Sequence, residues 1–319
     1  MSSLSKVCLL LTLILCVSPG IAKSDEVHTL RFEPVDRKRD RTVPLKIYRT
    51  DSKLPQPVIL FSHGLGGSRE NNGYLGTYWA AAGYTAVFMQ HPGSDETVWK
   101  TAKLRERFDA LKAAASMKTA LQRFADVPFV IDQLERWNEQ VDHPLYRKLD
   151  LEHIGMSGHS YGAVTTLAVA GRKFPFNQTY HEKRIDAFLA MSPQPGKAGD
   201  VSETFGHLQQ PILCMTGTRD GSPIDPSMQP EDRRKVYAAL PAGDKYQLVL
   251  HDAEHSAFGD GGRRLAGRQD PTHHPAIQKI SLHFWDAYLK DDAPSKQWLQ
   301  SNQVIPKTGL NDQNLWEWK

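Results

Sequence analysis

Cysteine is scarce, with three residues in a chain of 319, at positions 8, 16 and 214. Long apolar runs are missing too: the longest, Val7 to Val17, is about half of the roughly 20 residues that a membrane-spanning helix needs. No charge of one sign dominates. The 39 lysines and arginines are interleaved with 36 aspartates and glutamates for a net charge of +3, so the basic stripe of a nucleic-acid-binding protein is absent. No Pro-, Gly- or Ser-rich tract divides the chain, and residues 23 to 319 read as one α/β domain. Metal and phosphate signatures are lacking as well. His273-His274 and His251-x-x-x-His255 come without a His-Glu-x-x-His helix, and the glycines from Gly64 to Gly67 come without the lysine of a phosphate-binding loop. No metal and no cofactor is expected.

What is present begins with an export signal: Lys6, the apolar run, then Ser18-Pro19-Gly20-Ile21-Ala22 ahead of polar Lys23-Ser24-Asp25-Glu26. Gly20 and Ala22 are small enough for cleavage after Ala22, whereas a lipoprotein signal at Cys16 would want a small residue in place of Leu15. Cleavage removes Cys8 and Cys16, leaves Cys214 with no partner for an internal disulfide, and delivers the chain outside the cytoplasm with no membrane span.

Val27 to Phe32 and Val43 to Tyr48 alternate like an opening antiparallel pair. Pro57 to Phe61, Tyr84 to Met89, Leu149 to Met156, Ile185 to Met191, Pro211 to Met215 and Tyr246 to Leu250 are continuous apolar runs, as strands buried on both faces are. Helical stretches separate most of them: Thr77 to Ala82, Thr97 to Asn138 with a fresh start expected at Asp126-Val127-Pro128, Ala163 to Ala170, and Pro275 to Leu289. The basic face of the second stretch is expected to be solvated. A mainly parallel sheet of about eight strands with helices on both faces follows. The tail from Pro294 to Lys319 shows no period, though its tryptophans are expected to dock on the body.

One stretch carries the chemistry. Ile154 to Ala163 is an apolar strand that enters Gly158-His159-Ser160-Tyr161-Gly162 and leaves as a helix, the context in which Gly-x-Ser-x-Gly forms a nucleophile elbow. Glycines two residues either side of Ser160 let the chain cross itself closely, and the helix N-terminus faces the place where an acyl oxyanion would form. A serine hydroxyl needs a base, and the base an acid to fix its tautomer. In an open parallel sheet both belong just past strand ends. His255, in the loop after Leu250, is the expected base. His251 lies too close to its strand, His159 is expected to point away, and His273, His274 and His283 fall near or in the last helix. Asp220, at the end of Thr216-Gly217-Thr218-Arg219, is the expected acid, and Asp225 is near enough to reach the same space. Backbone N-H groups of Tyr161 and of Leu65, in the loop after the third strand, are the expected oxyanion donors.

These residues resemble the α/β-hydrolase superfamily, in the branch of dienelactone-hydrolase-like proteins and platelet-activating-factor acetylhydrolases. The likeness rests on Phe61-Ser62-His63-Gly64-Leu65-Gly66-Gly67, Gly83-Tyr84, Gln90-His91-Pro92-Gly93-Ser94-Asp95, Gly158 to Thr165, Gly217 to Pro223 and His255-Ser256-Ala257-Phe258. Dienelactone hydrolases proper carry a cysteine nucleophile where Ser160 stands. The resemblance implies an α/β-hydrolase fold and hydrolysis of short acyl esters. A peptidase or acyltransferase could use the same residues, and a catalytically silent binding protein could use the same fold. The polar loop Gly259 to Asp270 adds Arg263, Arg264 and Arg268, which are expected either to be solvated or to favour anionic esters.

Overall fold

The computed structural model describes residues 26–196, 199–260 and 270–319. The leader, with its cleavage position at Ala22, and Arg263, Arg264 and Arg268 lie outside the described residues. The continuous apolar runs form strands with both faces covered. In chain order the main sheet comprises β1 (His28–Phe32), β2 (Leu45–Arg49), β3 (Gln56–Ser62), β4 (Thr85–Met89), β5 (Leu149–His159), β6 (Ala187–Met191), β7 (Ile212–Arg219), β8 (Lys245–Glu254) and β9 (Leu315–Trp318). They pair in the order β1-β2-β4-β3-β5-β6-β7-β8-β9. From β4 through β8 every neighbouring pair is parallel, while β1, β2 and β9 are joined antiparallel at the edges.

Two apolar layers close the sheet. On one face α1 (Gly73–Ala81) and α5 (His273–Leu289) bury Trp79, Phe284 and Trp285. On the other, α2 (Met117–Glu139), α3 (Tyr161–Val169) and α4 (Pro230–Ala239) bury Val127, Ile131, Leu167 and Val236. Parallel strands need such crossover helices, and helices on both faces are why β4 and β6 are buried at every position. This is the α/β-hydrolase fold.

Helix α4 has no counterpart in the sequence expectation, and three further elements differ from it. No helix starts at Asp126: α2 runs unbroken from its Ser116 cap, where the Ser116 hydroxyl accepts from Thr119 N at 3.3 Å, and Pro128 lies inside it. The proline forgoes one helical hydrogen bond, but Val127, Val130 and Ile131 around it are fully buried and hold the helix together. Helix α1 begins four residues early, at Gly73, because the Asp260 carboxylate from a distant loop accepts from Asn72 N at 2.5 Å. The unpatterned tail supplies β9, a ninth strand of four residues, too short for alternation to show. Its Trp316 is anchored by an indole N-H donated to Leu299 O at 2.8 Å.

Behind the carboxyl ends of β3 and β4 lies a buried polar network. Ser62, His63, His91, Arg123 and Asp126 are all 0% exposed, so the basic face of α2 is not wholly solvated. The His91 N-H donates to His63 Nε2 at 3.0 Å, which puts the His63 proton on Nδ1, and Nδ1 donates to Gly64 O at 2.6 Å. His91 Nδ1 donates to Asp126 Oδ2 at 2.8 Å, and the Ser62 hydroxyl donates to His91 Nε2 at 2.9 Å. Asp126 also accepts from Arg39 and Arg41, each at 2.8 Å; against the opposing cost of burial, His91 and Arg41 hold its carboxyl far below the usual range.

Burial, followed by the Arg123 charge, pushes His91 down to about 4 and His63 well below the ordinary histidine value. Both are neutral when folded and take up a proton near pH 6.5 when unfolded. A depressed folded pKa means stability that is intact above the unfolded pKa and declines as pH falls toward the folded one. The free energy of urea unfolding should therefore drop between pH 6.5 and 4, by about 1.4 kcal/mol per pH unit for each such histidine. His91→Gln should lower the slope by about one proton. Unfolding curves that are pH-independent over this window would refute the neutral assignment.

Candidate active site

Ser160 occupies a turn that only a close crossing can hold. Its backbone sits at φ 58° and ψ −114°, a sparsely populated region for a residue with a side chain. Three contacts over-determine it. The Ser160 N-H donates to Met191 O at the end of β6 at 2.9 Å. A Cβ on Gly158 would fall 2.4 Å from Gly162 O, and a Cβ on Gly162 would fall 1.8 Å from Ser62 O. Glycine at both positions lets α3 start directly against the carboxyl end of β3, which brings the serine beside the Gly64 to Gly67 loop. A methyl placed on Gly64 would lie 3.5 Å from Ser160 Cβ.

The histidine and the aspartate converge on the serine. Strand β8 continues to Glu254 through an irregularity after Leu250, so His255 follows the strand directly. His255 Nε2 is 2.8 Å from Ser160 Oγ, and His255 Nδ1 is 2.7 Å from Asp220 Oδ1. The carboxylate beyond Nδ1 is an acceptor only, so Nδ1 carries the proton and Nε2 is free to accept the serine proton. Asp220 is 0% exposed. Its other oxygen accepts from the Thr216 hydroxyl at 2.9 Å.

Arg233 of α4 completes the surroundings of the carboxylate. Also 0% exposed, it lies 2.9 Å from Asp220 Oδ1. It donates to the backbone carbonyls of Asp220 at 2.5 Å, Ser192 at 2.8 Å and Gly221 at 3.1 Å. One of its terminal nitrogens comes within 3.2 Å of His255 Nδ1; since both groups carry protons there, this is packing rather than a hydrogen bond. Burial lowers the Arg233 pKa and the Asp220 charge opposes that fall.

The remaining sequence candidates fall as follows. Tyr161 follows the serine and Leu65 follows Gly64 in the adjoining loop, and the backbone N-H of neither has an acceptor among the described residues. The Tyr161 phenol donates to Ser116 O at 2.9 Å. Asp225 sits in a local turn, where its carboxylate accepts from the Ser227 hydroxyl at 2.6 Å, while the carboxylate at His255 Nδ1 is that of Asp220. His159 does not point away: its ring centroid is 4.7 Å from that of His255. The residue after the turning Gly158 is directed along the same strand end as the nucleophile, and its Nε2 is buried without a partner among the described residues. Burial, then the neighbouring His255 and Arg233, keep its pKa well below the ordinary value. Trp99 donates its indole N-H to Gly66 O at 2.7 Å, so the short helix Thr97–Lys100 roofs the glycine loop.

A second chain of the same types, Ser62 to His91 to Asp126, has the same hydrogen-bond polarity, but 0% exposure at all three keeps any substrate away. Arg123 and Arg233 carry no local sequence signature of a site. His63 and His91 stood within readable motifs, the His-Gly ahead of the glycine loop and the stretch from Gln90 to Asp95. Among the described residues no group of three or more His, Cys, Asp or Glu could hold a metal ion, and Cys214, pushed up to about 12 by burial, is an inert core thiol.

Comparison with known proteins bears on the fold and on the amino-terminal half of the chain. Residues 42–127 match the family of platelet-activating factor acetylhydrolase, isoform II, a span that contains His63, the glycine loop, His91, Arg123 and Asp126 but stops short of Ser160. A platelet-activating factor acetylhydrolase of Cavia porcellus is 24% identical over 282 residues, covering 76% of this chain and 59% of the relative. The chain thus spans about three-fifths of the length of the curated relative it matches. The chain has the α/β-hydrolase fold and is similar in sequence to the platelet-activating factor acetylhydrolases.

Proposed function

We propose that this chain is an exported serine esterase, a single catalytic domain that hydrolyses carboxylic esters with short acyl groups. The reading rests on one observation above all: His255 bridges Ser160 and Asp220 at 2.8 and 2.7 Å. Ser160 Oγ attacks the ester carbonyl while His255 Nε2 takes its proton, and Asp220 holds the imidazole in the needed tautomer. The negative oxygen of the tetrahedral intermediate lies between the N-H groups of Leu65 and Tyr161. As the intermediate collapses, His255 returns the proton to the leaving alcohol. Water then attacks the acyl-serine with the same proton relay and frees the acid. The name of the guinea-pig relative, an acetylhydrolase, supports a short acyl group. Export rests on the leader sequence, and no described helix is long and apolar enough to cross a membrane.

A fluorophosphonate probe should label Ser160, and Ser160→Ala should lose both the label and turnover of p-nitrophenyl acetate. Asp220→Asn should lower kcat on the order of 10⁴-fold, and Asp225→Asn only a few-fold; the reverse order would reassign the acid to Asp225. Across p-nitrophenyl esters from acetate to palmitate, kcat/KM should be highest on the shortest. A maximum on palmitate would overturn the short-acyl reading, and faster cleavage of aminoacyl amides than of any ester would make the enzyme a peptidase. Replacing Arg263, Arg264 and Arg268 together by alanine should lower the preference for anionic over neutral esters if that loop borders the pocket; an unchanged ratio would leave it a solvated surface.

A further inference from the structure

Arg123 is the largest charged group buried near Ser160 that the proposed reaction does not use. It is 0% exposed, yet no carboxylate lies within ion-pair distance of it among the described residues. The nearby Asp126 is taken by Arg39, Arg41 and His91, and Asp95 accepts from Gln90 and Thr97. All of the guanidinium's hydrogen-bond partners are neutral oxygens. Its Nε donates to Thr165 Oγ1 at 3.1 Å and one terminal nitrogen to Ser94 Oγ at 2.9 Å. The other donates to Ser62 Oγ at 3.0 Å and to His63 O. Its flat face covers the Tyr161 ring, with Cζ 4.7 Å from the centroid.

A buried cation without a counter-charge is costly, and buried charges can often be replaced by apolar side chains of the same volume without loss of stability. What the guanidinium does that such a side chain cannot is join two separate walls. Through His63 O and Ser62 it grips the start of the loop that carries Leu65. Through Thr165 and the Tyr161 ring it grips the first turns of α3. Those are the two segments whose N-H groups receive the oxyanion in the esterase reading, on which this inference rests.

We propose that Arg123 is a positioning residue of the oxyanion pocket: it holds the Leu65 loop and the N-terminus of α3 at a fixed separation and places unneutralised positive charge behind both. A planar fork with five donors suits this role, whereas a lysine in its place could reach only one wall at a time.

The test compares wild type, Arg123→Lys and Arg123→Met on p-nitrophenyl acetate, with active sites counted by fluorophosphonate titration so that misfolded protein does not enter kcat. Per titrated site, kcat should fall about 100-fold in Arg123→Met and about tenfold in Arg123→Lys, with KM changed less than threefold. Affinity for a trifluoromethyl ketone, whose serine adduct carries an oxyanion, should fall in parallel with kcat/KM. A merely structural role would reduce the number of titratable sites and leave kcat per site and ketone affinity unchanged, which would overturn the inference. Should Arg123→Met not fold, Arg123→Lys and Thr165→Val, which cuts the α3 tether alone, decide by the same criteria. An active wild type beside unaffected variants refutes the role of Arg123 only. A wild type that neither hydrolyses esters nor takes the label refutes the esterase reading and this inference with it.

Discussion

The structure depends on one close approach, the start of α3 lying against the carboxyl end of β3. The gap is so small that a single methyl at Gly162 would sit 1.8 Å from Ser62 O. Everything chemical follows from that contact. It sets Ser160 above the sheet edge in a backbone conformation that the surrounding hydrogen bonds must enforce, and it brings the helix N-terminus and the glycine loop together at one point. The strain at Ser160, of order 1–3 kcal/mol for such a conformation, is offset by the two apolar layers that clamp the sheet and by the Ser160 N-H bond to Met191.

The polar groups around this contact are almost all buried, and burial determines how they behave. His63 and His91 are kept neutral, so they act as hydrogen-bonding struts rather than as bases. Asp220 is fully engaged by His255, Thr216 and Arg233, leaving the carboxylate one orientation. Ser62, His91 and Asp126 reproduce the connectivity of Ser160, His255 and Asp220. The two chains differ in access: Ser62 and His91 are fully buried, whereas Ser160 and His255 are partly exposed.

Much of this was readable from the residues. The apolar runs that fail to alternate gave away the strands covered on both faces, because a strand with a wet face cannot be continuously apolar. The elbow was legible because its steric requirement is local: two glycines flanking a serine, with strand before and helix after. Asp220 and His255 were legible from position, since the carboxyl ends of parallel strands meet on one edge of the sheet. The unbroken passage of α2 through Pro128 was not, because the packing that offsets the lost hydrogen bond comes from residues distant in sequence.

By itself, then, the sequence determined the order of the first eight strands, the elbow at Ser160, and the histidine and aspartate that meet it, all features whose causes lie within a few residues or in the rule of strand ends. The tertiary structure alone decided that His159 turns toward His255, that Arg233 joins Thr216 in bracing Asp220, that Asp260 caps α1, and that Arg123 reaches both the β3 loop and α3. Each of these joins residues that lie 13 or more positions apart in sequence. A long charged side chain carries no mark in sequence of which distant carbonyl or hydroxyl it will meet, because that partner is selected only when packing excludes water and leaves each buried donor to find its acceptor.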